Sequence, residues 1–191
     1  MTTTCQIETD RLLLRPLDEA DRDDFAAMNA DSDVMTYFVS PMTREESDAA
    51  FTRYTAHFQQ NGFAFLAALL RSTGEFAGII GMQVMRFAVP NLPQPAVEIG
   101  WRLNRAQQGR GYATEGARAI VRSAFQEHGL AEVVAITAVN NKPSRHVMEK
   151  LGMHHDASLD FDHPDVPSGH ALQRHVLYRL ANPRNTTREE V

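Results

Sequence analysis

The stretch VEIGWRLNRAQQGRGYATEGARAIVRSAF, residues 97–125, runs from an apolar segment through a glycine turn into a long amphipathic segment. Gly109 and Gly111 lack the side chains that would keep an anion away from the backbone. A helix beginning after them would offer unpaired N–H groups and the positive end of its dipole. The stretch therefore predicts a strand, a turn that binds phosphate, and a helix.

The segments on either side of the glycine turn predict its position in the fold. Residues 132–139 are apolar and β-branched, which is typical of a strand. Residues 96–139 then form a strand–helix–strand unit, which normally makes a right-handed parallel crossover. The glycine turn is expected at the carboxyl end of the first strand of that unit.

The remaining segments predict alternating strands and helices. Thr43 and Glu46 form a capping-box pattern, and Asn61-Gly62 ends the helix that follows. The predicted elements are a strand over 7–17, a helix over 19–29 capped by Asp18, a short helix over 31–38, a helix to residue 60, hairpin strands over 63–70 and 76–87, helices over 113–128 and 144–151, and a final strand pair over 153–160 and 172–180.

Composition limits the class of protein. The 191 residues, 43% hydrophobic and 23% charged, fit one domain over residues 1–191 with residues 183–191 as a flexible tail. A net charge of −5 lacks the basic footprint of a nucleic-acid binder. No apolar run approaches the roughly 20 residues needed to span a bilayer and no signal peptide is apparent, which predicts a cytoplasmic protein without a membrane partner. The single cysteine, Cys5, excludes an intramolecular disulfide and a cysteine-only metal site.

Spacing separates the ligands that bind at glycine turns. A Walker loop ends in Gly-Lys-Ser/Thr, whereas Gly111 is followed by Tyr112 and Ala113. A dinucleotide fingerprint needs glycine at its sixth place, which is Thr114 when counted from Gly109. ATP hydrolysis and NAD binding are therefore both disfavoured.

The remaining pattern, Gln108-x-x-Gly111-x-Ala113, resembles the acetyl-CoA loop of the GCN5-related N-acetyltransferases (GNAT), which reads Gln/Arg-x-x-Gly-x-Gly/Ala. EIGW at 98–101, NKPS at 141–144 and ETDRLLLRP at 8–16 resemble the branch that includes the ribosomal-protein N-terminal acetyltransferases of RimJ/RimL type. The resemblance covers about residues 8–180.

This resemblance implies an α+β fold, with a mostly antiparallel twisted sheet of about six or seven strands and helices on both faces. Strands 96–103 and 132–139 would splay apart to admit the pantetheine arm of acetyl-CoA, and no metal is implied. Arg110, Lys142 and Arg145 are candidate partners for CoA phosphates, with solvated surface charge as the alternative. The implied cofactor-binding residues are Trp101, Leu103, Gln108, Gly109, Arg110, Gly111, Ala113, Thr114, Asn141 and Arg145.

Acetyl transfer to an amine needs a base, a site for the oxyanion and a proton for the departing thiolate. Glu98 is the candidate base, because burial in an apolar strand would raise its pKa; the alternative is an exposed strand residue. Many family members carry a tyrosine seven residues after the Asn141 position, where this chain has Met148. Ser144 matches a serine of the ribosomal branch that is thought to hydrogen-bond the CoA sulfur, with helix capping as its alternative role. Tyr178 is a weaker candidate acid.

Five of the eight histidines lie within residues 154–175, among several aspartates. No ligand spacing on one regular element appears there, so no metal site is predicted. His163, His170 and His175 are instead candidates for substrate contacts in a polar loop, with plain surface positions as the alternative.

The predicted activity is transfer of an acetyl group from acetyl-CoA to a primary amine, directly within a ternary complex. The acceptor classes left open are a protein N-terminal α-amino group, an amino acid and a small amine. Residues 18–60 and 160–170 are expected to shape the acceptor pocket. A catalytically silent CoA-binding or regulatory module is the alternative function, and the family resemblance is compatible with a homodimer.

Overall fold

The computed structural model describes residues 6–184, so Cys5 and the tail 185–191 lie outside the described residues. Four α-helices and nine strands are found in this range, joined by short 3₁₀ turns. In chain order they are β1 (Ile7–Glu8), β2 (Leu12–Arg15), α1 (Arg22–Ala30), α2 (Arg44–Asn61), β3 (Phe65–Leu70), β4 (Phe76–Val84), β5 (Val97–Leu103), α3 (Tyr112–Gln126), β6 (Glu132–Ala138), α4 (Lys142–Lys150), β7 (His154–His155), β8 (Phe161–Asp162) and β9 (Arg174–Ala181).

The strands of residues 6–184 form a single sheet in the order β1-β2-β3-β4-β5-β6-β9-β7, and β8 also pairs with β9. Only β5 and β6 run parallel among the described pairs. This confirms the predicted mixed α+β class with one parallel pair. The sheet has more strands than the predicted six or seven because β1, β7 and β8 are two residues long each.

The parallel strands β5 and β6 pair over a very short length. β4 and β5 are in register along their length, from Gly78 opposite Leu103 to Val84 opposite Val97. β5 and β6 share one register pair, Glu98 opposite Val134. The edge of β5 beyond Glu98 therefore faces a gap in the sheet instead of a partner strand, as the predicted splay requires.

The two faces of the sheet are covered by different helices. α3 packs Ala117, Ile120 and Ala124 against strand residues such as Ile80. A Cβ at Gly116 of α3 would collide with the side chain of Ile80, so glycine allows this close approach. α1 and α2 cover the other face, with Phe25, Met28, Phe51 and Tyr54 against residues that include Ala67 and Ile79.

Local capping explains most helix boundaries. Thr43 and Glu46 make the predicted capping box, and Gly62 ends α2 in the left-handed conformation with φ 76°. Asp18 caps a 3₁₀ turn that leads into α1, which places the start of the α-helix at Arg22. None of the helices in residues 6–184 combines the length and apolar character needed to cross a membrane.

Three predicted elements were wrong in detail. The strand over 7–17 is broken into β1 and β2 by a turn in which the N–H of Thr9 donates to the carbonyl of Leu12 at 2.9 Å. Residues 32–37 form turns and no α-helix, starting where Asp31 accepts the N–H of Asp33 at 2.8 Å. The strand over 153–160 stops at His155, because Asp156 caps a 3₁₀ turn.

Candidate active site

The glycine turn forms an open helix N-terminus at the end of β5. Gly109 and Gly111 adopt φ of 72° and 84°, a conformation that other residues rarely adopt. Gly111 is the N-cap of α3 and offers no side-chain cap, and the first helical bond runs from the N–H of Glu115 to the carbonyl of Gly111 at 3.0 Å. Within residues 6–184 the N–H groups of residues 112–114 have no backbone acceptor. Such a terminus attracts an anion.

An ion pair braces this turn from behind. Arg11 contacts Glu115 at 2.6 Å and donates to the carbonyl of Arg110 at 3.0 Å. Burial opposes ionisation of Glu115, but hydrogen bonds from Thr9 and Arg11 hold the pKa of its carboxyl below the usual value. Arg11 was not singled out in the sequence, although it lies in the ETDRLLLRP segment that resembles the family. The brace fixes the turn to the β1–β2 hairpin.

A cavity of about 540 Å³ opens in front of the turn. One wall, the cofactor wall, consists of the glycine turn, the end of β5 and the first turns of α4. The structure brings most of the predicted cofactor-binding residues together on it. The predicted residues that line the cavity are Trp101, Leu103, Gln108, Gly109, Gly111, Ala113, Thr114, Asn141 and Ser144.

Three predicted phosphate partners do not line the cavity. Arg145 turns toward β9, where it donates to the carbonyl of Val139 at 3.1 Å and to the hydroxyl of Tyr178 at 3.2 Å. Arg110 and Lys142 are exposed and lie outside the lining. His146 and Lys150 of α4 line the cavity instead. The sequence signal for these two was their helical spacing from Pro143, which places them on one side of α4.

The start of α4 assigns separate roles to Asn141 and Ser144. Asn141 is the N-cap, since its side-chain oxygen accepts the N–H of Ser144 at 3.1 Å and its amide donates to Thr137 at 2.8 Å. In the described part of the chain the Ser144 hydroxyl has no hydrogen-bond partner, and it faces the cavity. Ser144 is therefore not the helix cap, and its hydroxyl is free to meet a ligand.

Glu98 lies at the closed end of the β5–β6 gap and does not line the cavity. Its carboxylate is half-buried and accepts a hydrogen bond of 2.5 Å from the side-chain amide of Gln83. Burial raises the pKa of Glu98, while the Gln83 hydrogen bond and the charge of Arg86 act in the opposite direction. Alternation along β5 puts Glu98, Gly100 and Arg102 on the same face of the sheet. That face carries α1 and α2.

The opposite wall of the cavity is called the acceptor wall here, because residues 18–60 were predicted to shape the acceptor pocket. That prediction named no individual residue of the wall. It is formed by the turns after α1 together with Arg102 of β5 and Arg105 in the 3₁₀ turn that follows β5. Its residues are Asp33, Val34, Thr36, Tyr37, Phe38, Arg102 and Arg105. No local motif marks these positions, because residues 33–38 and β5 meet only through the tertiary fold.

The candidate acids differ in their surroundings. Met148, which occupies the position where relatives have tyrosine, is 1% exposed in the core. Tyr178 is buried, and its hydroxyl accepts from Arg145 and donates to Glu149 at 3.4 Å, outside the cavity. Of the proposed acids, Ser144 alone reaches the cavity lining.

The histidine-rich segment lies apart from the cavity. His163 and His175 face each other at 4.7 Å between ring centroids, beside Phe87 and Phe161. Burial lowers the pKa of His175 to about 4, with the charge of His163 as a further contribution. Residues 160–170 and His175 do not line the cavity, so the structure does not bring them to the predicted acceptor pocket. No group of three metal-ligating side chains occurs among the residues described.

Comparison with known proteins agrees with this geometry. A family model described as an acetyltransferase (GNAT) domain matches residues 11–154. The chain is 30% identical over 174 residues to YnaD of Bacillus subtilis, an uncharacterized N-acetyltransferase, covering 91% of this chain and 95% of that protein. An acetyltransferase structure from Agrobacterium tumefaciens is 28% identical with a TM-score of 0.75, covering 94% and 96% of the two chains.

The RimL ribosomal L7/L12 α-N-protein acetyltransferase also superposes on this chain, with a TM-score of 0.73 at 17% identity, covering 93% and 94% of the two chains. At this identity the likeness shows a shared fold. The predicted relationship to RimL-type folds is therefore confirmed at the level of architecture.

Proposed function

The chain belongs to the GNAT acetyltransferase family, whose members use acetyl-CoA, and from that premise we propose that it acetylates a primary amine by direct transfer within a ternary complex. The observation that carries this proposal is that one cavity is lined by the open N-terminus of α3, by the end of β5 at Trp101 and Leu103, and by the start of α4, which follows β6. One cofactor would span this lining, with its pyrophosphate at the turn and its thioester in the gap between β5 and β6.

The cofactor is held mainly by backbone groups in this proposal. The N–H groups of Gly109, Arg110, Gly111, Ala113 and Thr114 bind the pyrophosphate, with Gln108 completing the turn. The pantetheine amides bond the β5 edge at Trp101 and Leu103, which β6 leaves unpaired beyond Glu98. Asn141 contacts the cofactor from the α4 side. Arg145 is engaged with Val139 and Tyr178, so it would need to turn before reaching a phosphate.

The reaction forms a C–N bond and breaks a C–S bond. The neutral amine attacks the thioester carbonyl carbon, and backbone N–H groups near Arg102 and Leu103 stabilise the oxyanion. The amine proton passes to Glu98, directly or through water. The CoA thiolate leaves with a hydrogen bond from the Ser144 hydroxyl and takes up a proton through that hydroxyl or from solvent. Solvent replaces any proton that Ser144 gives and takes the one that Glu98 gained. Burial raises the pKa of the Glu98 carboxyl above its ordinary value, which makes the carboxylate a better proton acceptor.

The proposal does not require a strong base. A peptide α-amino group has a pKa near ~8 and a lysine side chain near ~10.4, so the former is more readily neutral. The acceptor classes that fit are a protein N-terminal α-amino group, an amino acid and a small amine.

Thiol release from acetyl-CoA tests the proposal. The protein is given acetyl-CoA with a panel of amino acids, small amines and peptides that carry free N-termini. At least one amine should accelerate release well above the rate without acceptor, with equal amounts of acetylated amine formed. If calorimetry shows acetyl-CoA binding but no amine accelerates release, the silent CoA-binding module would replace the enzyme.

A further inference from the structure

Arg102 is a charged side chain without an acidic partner on the acceptor wall. Its Nη1 donates to the side-chain oxygen of Asn29 at 2.5 Å, and the guanidinium lies 4.2 Å from the centroid of the Phe38 ring. Its Nε is buried and has no hydrogen-bond partner within residues 6–184. No carboxylate in the same range forms an ion pair with it. The guanidinium is thus held in place by neutral groups alone.

The electrostatic surroundings of Arg102 favour an incoming anion. Burial lowers its pKa and the positive charge of Arg53 lowers it further, while Tyr54 acts in the opposite direction. The Nε of Arg53 is also buried without a partner. A guanidinium stays protonated in proteins, so the unfavourable burial is relieved by binding a negative charge instead of losing a proton.

Other partly buried arginines of this chain are paired with a carboxylate. Arg15 binds Asp21 through two nitrogens at 2.7 and 2.8 Å, and Arg179 binds Glu132 at 2.9 and 3.0 Å. Arg102 has the same planar donor set and faces a cavity. The acidic residue among those named for that wall, Asp33, is exposed and lies 3.9 Å from Arg105.

We propose that Arg102 binds a carboxylate of the acceptor, so that the preferred acceptors are amines that carry a carboxylate group, such as free amino acids. This inference rests on the proposed acetyltransferase function. Arg102 and Glu98 share a sheet face and are four residues apart, about 13 Å along the strand. The ring of Phe65 lies over Gly100 between them. A short acceptor with its carboxylate at Arg102 would therefore not reach Glu98, and its amine proton would pass to Glu98 through water. The phosphates of CoA meet the glycine turn on the other wall.

Matched acceptor pairs test this inference on the unmodified protein. Thiol release is measured with glycine against glycinamide and with β-alanine against β-alaninamide, so that the members of each pair differ in the carboxylate. In each pair the acid should have a kcat/KM about 10- to 100-fold higher than the amide, which is the effect expected of a charge-assisted bidentate hydrogen bond. This preference would run against intrinsic reactivity, since a carboxylate raises the pKa of its neighbouring amine.

Variants of the wall then identify the residue responsible. Arg102→Gln should raise KM for the acid about 10-fold or more and remove the preference, with acetyl-CoA affinity unchanged. Arg102→Lys should restore part of it, because the charge is kept and the planar fork is lost. Arg105→Gln is the matched control on the same wall and should keep the preference. If Arg102→Gln does not fold, the comparison of acids with amides on the unmodified protein still tests the inference.

The possible failures are distinct. Transfer with equal or higher kcat/KM for the amides would overturn this inference and leave the proposed function standing. A loss of acetyl-CoA affinity in Arg102→Gln as large as the loss of acceptor affinity would make Arg102 a cofactor ligand and overturn it too. No transfer to any amine would overturn the proposed function and this inference together.

Discussion

The two walls of the cavity are built by different means. The cofactor wall presents backbone N–H groups at the start of α3, shaped by Gly109 and Gly111 and braced by Arg11 and Glu115. The acceptor wall presents side chains, with Arg102 held by Asn29 and Phe38 from a separate part of the chain. A backbone site can be kept while side chains change, whereas a side-chain site changes with a single substitution. We therefore expect cofactor binding and acceptor choice to be separable by mutation.

The largest effect should come from Glu98, which lies at the closed end of the β5–β6 gap, outside both walls. Glu98→Gln should lower kcat about 10²- to 10⁴-fold with acetyl-CoA affinity unchanged, because proton removal is lost while the cofactor wall stays intact. In the wild type, activity should fall as the pH drops through the raised pKa of Glu98, since only the carboxylate accepts a proton. Steady-state rates against pH measure both effects.

Gln83 provides the control for this assignment. Gln83→Leu removes the hydrogen bond that favours the charged carboxylate, so the acidic limb of the profile should move to higher pH. An unchanged kcat in Glu98→Gln would remove Glu98 as the base.

The cofactor wall should be sensitive to a side chain at its cap. Gly111→Val places a branched side chain at φ 84° and against the Arg11 guanidinium that braces the turn, so it should distort the turn and weaken acetyl-CoA binding about 10- to 100-fold by calorimetry. Gly169→Val is the matched control, because Gly169 has φ 79° and open space around its Cβ direction. Both variants should lose stability, and equal acetyl-CoA affinity in the two would contradict the placement of the cofactor.

A smaller effect is expected at Ser144. Ser144→Ala should lower kcat by about tenfold near neutral pH and by less at alkaline pH, because a thiolate with a pKa near ~8.5 leaves increasingly well without a donor. Asn141 still caps α4 in this variant, so the helix should be retained. Rates measured from pH 6 to about 9 test the trend, and an undiminished kcat throughout would leave solvent as the proton source.

Outside both walls, the His163–His175 pair should affect stability and not acceptor choice. The folded-state pKa of His175 is lowered to about 4, chiefly by burial. The unfolded chain therefore binds more protons between that value and the ordinary ~6.5, and stability is lost as the pH falls through this window. The loss should be about 1–3 kcal/mol and should be reduced in His175→Phe, as measured by urea unfolding at several pH values. If the free energy of unfolding depended on pH equally in His175→Phe and in the wild type, His175 would not be the source of the loss.

The difference between the walls also explains what the sequence revealed. The glycine turn and the capping box at Thr43 depend on residues a few positions apart, so their structures follow from local chemistry. The N-cap of α4 is Asn141, although the sequence suggests Ser144 as a possible cap. Arg102 and Asn29 meet only when α1 packs against the sheet, and no pattern in either segment predicts the contact. Arg145 shows the converse, because its position suggested a phosphate ligand but the fold turns it toward Tyr178.

A crystal structure with bound acetyl-CoA tests the central claim most directly. We expect the pyrophosphate oxygens to accept hydrogen bonds from the N–H groups of Gly111, Ala113 and Thr114, and the thioester to lie in the β5–β6 gap between Glu98 and Ser144. Arg102 should stay free of the cofactor and face the empty acceptor side. A pyrophosphate bound at Arg102, or a thioester outside the gap, would contradict the division of the cavity into a cofactor wall and an acceptor wall.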